Sequence, residues 1–286
     1  MRRILLPTDF SENSINAIDY AVELFKDVIC QFYILNVQKA SSFISDDIRS
    51  MSPSTTIYQS LIADSKTRIN EIIIKLESGK NKNHHFNSMV DYDNFIDAIN
   101  QACMAKNIDL IVMGTKGATG SNRVLFGGNT IRVIQRGMVP VLAVPEEYEF
   151  NGLDKIAFTS NYLTHYKESE LTPLMQLAEL YQSRIDVLHM TQDDQFSSEQ
   201  NINRDFLDCC FRFVDHTFID LDKKDIFDAV SDYIHENDIK LLAMMSRKHS
   251  FFKRLFSRQN VETFAFKIDI PLLVMENTTK VMERSN

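Results

Sequence analysis

The chain carries the stretch MGTKGATGSNRVLFGG at residues 113–128, directly after the strand-like run at residues 109–112. Five of the eight glycines of the 286-residue chain lie between Gly114 and Gly128. Glycine allows main-chain N–H groups to approach a ligand because no Cβ stands in the way. A glycine cluster at the end of a strand therefore predicts a backbone that cradles an anion, and phosphate is the foremost candidate.

Segments of strand length alternate with segments of helical period in the first half of the sequence. This alternation is typical of a parallel sheet covered by helices on both faces. Ser11 is the predicted N-cap of a helix at residues 14–25. Asp91 or Asp93 is the predicted N-cap of a helix at residues 95–105. The predicted strands are residues 3–7, 31–37, 86–90, 109–113 and 139–144.

The same order of elements returns after Asn151-Gly152. The segment KNIDLIVM at residues 106–113 resembles ENDIKLLAM at 236–244, and VPVLAV at 139–144 resembles IPLLVM at 270–275. Two copies of one unit at a spacing of roughly 130–150 residues indicate two domains of one fold. We expect domains at residues 1–147 and 152–278, followed by a tail at 279–286. The predicted strands of the second copy are residues 155–159, 184–190, 212–218, 240–244 and 271–275.

Composition and charge narrow the class of protein. The net charge of −8 argues against general attraction to nucleic acid or to anionic membranes. No apolar run reaches the length of a membrane helix, and Asp9 comes too early for a secretory signal, so we expect a cytoplasmic protein. The four cysteines show no CxxC spacing, which disfavours a zinc site or a disulfide framework. They are Cys30, Cys103, Cys209 and Cys210.

The motif spacing points to a family. From Gly114 the pattern is G-x-x-G, then nine residues, then GGNT at residues 127–130. With LPTDFS at residues 6–11 and VPVLAV at 139–144, it resembles the universal stress protein family in its tandem two-domain form. The layout extends over the whole chain, whereas the specific residues lie in the first half.

The resemblance implies a fold and an assembly. We expect two Rossmann-like domains of the adenine nucleotide alpha hydrolase-like type, each with a five-stranded parallel sheet. The edge strands at residues 139–144 and 271–275 would pair and give one chain the arrangement of a dimer. The chain would then be a monomer with an internal pseudo-dimer, or a higher homo-oligomer.

The resemblance also implies a site for ATP or another adenine nucleotide, with Mg²⁺ an open question. In an open parallel sheet such a ligand lies beyond the carboxyl ends of the strands. The residues expected around adenine and ribose are Pro7, Thr8, Asp9, Val37, Met113 and Gly114. The residues expected around the phosphates are Lys116, Gly117, Gly127, Gly128, Asn129 and Thr130.

Two departures from the family pattern affect this expectation. The binding form has Ser or Thr directly after the second glycine, where this chain has Gly128, so a hydroxyl donor is lost unless Thr130 replaces it. In the second copy the glycine positions fall on Met245, Lys248, Arg258 and Gln259, and the position of Asp9 falls on Asn161. We therefore predict that the second copy does not bind ATP in the family's way.

Three functions stay open from the sequence. The first is a nucleotide-binding stress-response regulator read by an unidentified protein partner. The second is an ATP hydrolase, which we expect to be slow at most because no Walker lysine, general base or metal-binding carboxylate pair is visible. The third is a nucleotide-independent interaction module. Residues 246–258, which mix basic and aromatic side chains, are a candidate partner surface, and residues 38–53 a candidate lid.

Overall fold

The computed structural model describes residues 1–38, 55–115, 127–163, 165–190, 196–221, 226–246 and 269–275. Two candidate features, the lid at residues 38–53 and the basic and aromatic stretch at 246–258, lie outside these ranges apart from Gln38 and Ser246. Among the helices of the described ranges, none pairs sufficient length with sufficient apolarity to traverse a bilayer.

Strands and helices alternate along both halves of the chain. In the first half the elements are β1 Arg2–Pro7, α1 Glu12–Leu24, β2 Cys30–Val37, α2 Thr55–Glu77, β3 His84–Asp91, α3 Phe95–Lys106, β4 Leu110–Gly114, α4 Gly128–Arg136 and β5 Val141–Val144. In the second half they are β6 Lys155–Ser160, α5 Glu168–Tyr181, β7 Arg184–Met190, α6 Ser198–Phe211, β8 His216–Leu221, α7 Ile226–Glu236, β9 Leu241–Met245 and β10 Leu272–Met275.

The ten strands form one sheet in the order β3-β2-β1-β4-β5-β10-β9-β6-β7-β8. All strand contacts are parallel except that between β5 and β10, where Leu142 lies opposite Leu273. The expected fold class is confirmed, and so is the pairing of the two edge strands. The two five-stranded parallel halves are thus continuous through one antiparallel contact, as in a dimer built from a single chain.

Alternate residues of the strands pack into two hydrophobic cores, one on each face of the sheet. Ile4 and Leu6 belong to one core together with α1, α2 and α5, whereas Leu5 belongs to the other together with α3, α4 and α7. This alternation follows from the two-residue repeat of a strand, and it explains why the central strands are apolar on both faces.

Aromatic side chains connect the two halves on one face of the sheet. The ring of Tyr20 on α1 lies 5.5 Å from that of Phe150, and Phe150 lies 5.3 Å from Tyr181 on α5. The Tyr181 hydroxyl donates to the Leu24 carbonyl at 2.6 Å. The halves are therefore held by packed helices in addition to the β5–β10 contact.

Two local predictions were wrong. The N-cap of α3 is Asn94, whose side chain accepts from the Ile96 N–H, whereas Asp93 accepts from the Asn94 N–H. The strand expected at residues 212–218 begins only at His216. The apolar residues before it mislead because α6 continues to Phe211, which is fully buried, while Phe213 is 79% exposed.

Candidate functional site

The sheet order places a crevice at the carboxyl ends of β1 and β4. Strand β1 pairs with β2 on one side and with β4 on the other, so the chain reverses its direction of travel across the sheet at this point. Ligands of open parallel sheets bind at such a reversal. Pro7, Val37 and Gly114 end the three strands, so the structure brings the predicted residues of β1, β2 and β4 to one edge.

The turn between β1 and α1 is fixed by the buried side chain of Thr8. Its hydroxyl oxygen accepts from the Phe10 N–H at 2.9 Å and lies 2.8 Å from the hydroxyl of Ser14. Phe10 has a left-handed backbone with φ 66°. The Thr8 hydroxyl is therefore used inside the turn, and the Thr8 N–H donates to the Leu35 carbonyl of β2 at 2.8 Å.

Asp9 is the exposed acid of this turn. Its Oδ1 accepts from the Ser11 hydroxyl at 2.6 Å and from the Ser11 N–H at 3.0 Å. Burial raises the pKa of the Asp9 carboxyl, but the hydrogen bonds from Ser11 outweigh that effect and hold the pKa below its ordinary value. Asp9 is therefore an ionised hydrogen-bond acceptor, and Ser11 orients it.

A buried polar chain behind the crevice was missed by sequence reasoning. The Asn36 amide donates to the Thr8 carbonyl at 2.8 Å, and the Gln38 amide donates to Asn36 Oδ1 at 2.7 Å and to the Ser65 hydroxyl at 2.8 Å. This chain ties the ends of β1 and β2 to α2. The available signal was a polar Asn inside the otherwise apolar strand β2.

Gly114 ends β4 against the first turn of α1. A Cβ built on Gly114 would lie 2.6 Å from Asn13 Oδ1 and 2.7 Å from the Asn13 carbonyl oxygen. Packing of α1 against β4 therefore requires glycine here, whatever binds nearby. The side-chain oxygens of Asn13 and Thr115 are buried and have no hydrogen-bond partner among the described residues. They form an unsatisfied polar lining beside the end of β4.

Helix α4 begins beside the same strand end. Its N-cap is Gly127, which has no side chain to cap the first turn. A Cβ on Gly128 would meet no described atom within 4 Å, so among the described residues nothing packs against the helix at that point. The free N–H groups of such a turn, with the helix dipole, favour an anion.

Thr130 is used by the fold. Its hydroxyl donates to the Gly114 carbonyl at 3.0 Å, and the residue is 3% exposed. The hydroxyl proton is thereby committed to the backbone, so Thr130 holds α4 against β4 instead of replacing the hydroxyl that is absent at Gly128. Of the other predicted phosphate residues, Asn129 is exposed in the first turn of α4, while Lys116 and Gly117 lie outside the described residues.

Comparison with known proteins identifies the family. The sequence model described as "Universal stress protein family" matches residues 1–145, which is just over half of the chain. The chain belongs to the universal stress protein family. A curated member, universal stress protein MJ0531 from Methanocaldococcus jannaschii, is 27% identical over 151 residues, which cover 50% of this chain and 81% of the relative.

Solved structures share the whole two-part fold of this universal stress protein family member. A universal stress protein from Archaeoglobus fulgidus has a TM-score of 0.72 at 15% identity, with 96% of this chain and 98% of that chain covered. A putative universal stress protein from Pseudomonas aeruginosa has a TM-score of 0.58 at 10% identity, with 96% and 93% covered. The likeness extends over both halves, so the second half has the family fold although the sequence model stops at residue 145.

The second half of this universal stress protein repeats the turn of the first. The Ser160 hydroxyl accepts from the Tyr162 N–H at 3.0 Å and lies 2.7 Å from the Tyr166 hydroxyl. The Thr8 hydroxyl makes the equivalent contacts with the Phe10 N–H and the Ser14 hydroxyl. Asn161 Oδ1 accepts from the Leu163 N–H at 3.1 Å, as Asp9 does from Ser11. Tyr162 also has a left-handed backbone, with φ 53°.

Around the matching turn of the second half, side chains are more deeply buried than in the first half. The fully buried ring of Tyr162 stacks on His189 at 4.2 Å, and Phe196 packs 5.6 Å from Tyr162. Met245, which is 2% exposed, pairs with Met275 as Gly114 pairs with Val144. A buried side chain thus occupies the place of the first glycine, as the sequence predicts. The positions Lys248, Arg258 and Gln259 lie outside the described residues.

No candidate metal site lies among the described residues. Within the described ranges, no three His, Cys, Asp or Glu side chains come together as they would around a metal ion. Whether nucleotide binding depends on Mg²⁺ stays an open question.

Proposed function

We propose that the first half of the chain binds ATP or another adenine nucleotide and that its occupancy regulates an interaction in the stress response. The observation that carries the proposal is the first turn of α4, whose N-cap Gly127 has no side chain and which is hydrogen-bonded through Thr130 to the end of β4, at the reversal of the sheet. This turn offers N–H groups to an anion beside the ionised Asp9.

The polar lining supports a ligand with both acceptors and donors. Asp9 Oδ1 is held by Ser11, which leaves the second carboxylate oxygen for the hydroxyls of a ribose. The buried oxygens of Asn13 and Thr115 need partners that the described residues do not supply. A bound nucleotide would satisfy these oxygens, and ordered water would satisfy them when no nucleotide is bound.

The remaining assignments of the proposal follow the family resemblance. Pro7, Thr8 and Asp9 would lie against adenine and ribose, Val37 would contact adenine through its backbone, and Met113 would lie near the ribose. The phosphates would meet Lys116, Gly117, Gly127, Gly128 and Asn129. The nucleotide-binding domain would comprise residues 1–147, and a second, non-binding domain residues 152–278, with action in the cytoplasm.

Gly128 allows a matched test of nucleotide binding. Because nothing lies within 4 Å of a Cβ at this position, Gly128→Ser and Gly128→Asp should both fold, and both remove a helix-weakening glycine. The serine adds a hydroxyl donor to a phosphate and should tighten ATP binding about tenfold, which corresponds to about 1.4 kcal/mol. The aspartate places a negative charge at the same point and should weaken binding by a similar or larger factor.

The measurement is calorimetric titration with ATP and MgCl₂, repeated by equilibrium dialysis so that a heat-free interaction is also detected. One site per chain, tightened by serine and weakened by aspartate, supports the proposal. Equal affinity of the three proteins contradicts the placement of the phosphates. No binding in either assay favours the nucleotide-independent module, which the absent hydroxyl at Gly128 and the buried Met245 in the place of Gly114 make a specific second candidate. Phosphate release above the buffer rate would indicate the hydrolase.

A further inference from the structure

Strand β3 forms one border of the sheet, and no strand lies outside it among the described residues. On its inner side the Cys30 N–H donates to the Asn83 carbonyl at 2.8 Å, and the Gln38 N–H donates to the Asp91 carbonyl at 2.9 Å. In a parallel pair the peptide groups of alternate residues face the neighbouring strand. The odd-numbered residues of β3 therefore pair with β2, and the peptide groups of Phe86, Ser88 and Val90 point outward.

A groove of about 300 Å³ runs along this border. It is lined by Ile62 and Lys66 of α2, by the strand residues 88–90, and by Lys106 at the end of α3. Helices α2 and α3 pack on opposite faces of the sheet, as their core contacts show. The groove therefore straddles the strand edge, with apolar surface along the strand and one lysine on each face.

The two lysines are exposed and lie within 4 Å of no carboxylate among the described residues. They stand out on a chain whose net charge is −8. An edge strand can be protected from pairing by lysines within the strand itself. Here the lysines come from the flanking helices and not from β3, whose outward peptide groups have no strand partner among the described residues.

We propose that the β3 edge binds an extended acidic segment of a partner protein, which adds to the sheet as an eleventh strand. The outward peptide groups of Phe86, Ser88 and Val90 would supply the main-chain hydrogen bonds. Lys66 and Lys106 would contact acidic side chains on the two faces of the added strand, because successive side chains of a strand alternate between faces. A second copy of β3 would instead bring lysines against lysines. The proposal is independent of nucleotide binding.

The probe is a capped peptide of sequence VDEVVDEV, which places acids on both faces of a strand. Its controls are VKKVVKKV and a VDEVVDEV peptide with N-methyl groups on alternate amides. We expect fluorescence anisotropy to detect binding of the acidic peptide alone. Equal binding of the N-methylated peptide would show that the contact is not strand addition and would overturn the proposal, as would absence of binding by the acidic peptide.

Charge reversals locate the contact. Lys66→Glu with Lys106→Glu should weaken binding of the acidic peptide about tenfold or more at 0.1 M salt. The matched control is Lys75→Glu with Lys80→Glu, which makes the same change of net charge on exposed lysines outside the groove and should alter affinity by about twofold at most. Equal losses in both double variants would reduce the contact to general electrostatic attraction and overturn the proposal.

Hydrogen exchange supplies a readout that does not depend on charge. Binding of the acidic peptide should slow exchange of the Phe86, Ser88 and Val90 amides at least about tenfold and leave those of Asn87 and Met89, already paired with β2, unchanged. No slowing at the three outward amides would contradict the proposal. If the chain self-associates and the double variant Lys66→Glu with Lys106→Glu does not, the occupant of the edge is a second copy of the chain, and the partner-protein proposal is overturned.

Discussion

The turns that follow β1 and β6 have the same backbone but different surroundings. Thr8 and Ser160 each accept from the N–H two residues later, and Phe10 and Tyr162 each take a left-handed conformation. In the first half Phe10 is only partly buried, with the Arg68 guanidinium 3.9 Å from its ring centre. In the second half Tyr162 is fully buried against His189 and Phe196.

The residue that hydrogen-bonds to each turn from the neighbouring strand also differs between the two halves. The Asn36 amide donates to the Thr8 carbonyl, and His189 lies in the same place, with Nδ1 at 3.1 Å from the Ser160 carbonyl. The imidazole satisfies the same backbone group and also offers a flat face on which Tyr162 stacks. Hydrogen bonds to the backbone thus preserve the turn, while the neighbouring side chains decide how deeply the aromatic residue of the turn is buried.

The largest effect that tests this comparison is expected at the two aromatic residues. Tyr162→Ala should lower the free energy of unfolding by about 3–5 kcal/mol, because a fully buried ring is removed from a packed stack. Phe10→Ala should cost roughly 1–2 kcal/mol, because that ring is partly exposed. Urea denaturation measures both, with Tyr162→Phe as the control that keeps the stack. Equal costs for the two alanine variants would contradict the difference in packing.

The next effect is expected at the strand ends. Gly114→Ala should destabilise the chain by about 1–3 kcal/mol, because its Cβ would lie 2.7 Å from the Asn13 carbonyl oxygen and α1 would have to move. Met245→Leu, a change of similar volume at the matching position of the second half, should cost less than about 1.5 kcal/mol. Thermal unfolding compares the two. A neutral Gly114→Ala would show that α1 and β4 can separate at little cost.

A smaller effect is expected for nucleotide binding at the acid of each turn. Asp9→Asn should weaken ATP binding about tenfold, because a charge-assisted acceptor becomes a neutral one. Asn161→Asp makes the reverse change in the second half and should create no second site, since the buried side chain of Met245 stands where the first half has Gly114. Titration calorimetry gives both affinity and stoichiometry. Two sites per chain in Asn161→Asp would show that the acid alone decides binding.

The smallest effect is the pH dependence contributed by His189. Burial lowers the pKa of its imidazole; the hydrogen bond to Ser160 and the charge of Asp220 oppose this, and Arg204 adds to it. The unfolded chain therefore takes up a proton at about pH 6.5, whereas the folded chain does so only at lower pH. Unfolding free energy should fall as pH drops from about 6.5 to the folded pKa and then level off.

The variant His189→Asn places the first-half residue in the second half and removes this titration. Its stability curve should have a shallower slope than that of the parent chain over the same pH window, whatever its absolute stability. Identical slopes, measured by urea denaturation at several pH values, would show that another group is responsible.

Parts of the site were predictable because their signals are local. Ser11 caps α1 through its bond from the Ser14 N–H, as its position before an amphipathic segment indicates. The ends of β1, β2 and β4 were found because apolar runs stop there. Asn36 and Asn13 were missed, since one is a polar residue within a strand and the other faces a glycine that is distant in sequence. The polar Asn36 near the end of a largely apolar strand was a signal for the first contact, whereas the second has no signature in the neighbouring residues.

The sequence by itself determined the alternation of strands and helices, the duplication and the glycines of the first half. These follow from periodicity and from the freedom of glycine, which act over short stretches of chain, whereas the pairing of β5 with β10 was expected from the family resemblance. Only the tertiary structure decided that Gly114 is required by Asn13, that Thr130 is committed to the Gly114 carbonyl, and that Tyr162 stacks on His189. Those facts depend on volume and hydrogen-bond partners that meet only when the sheet has formed.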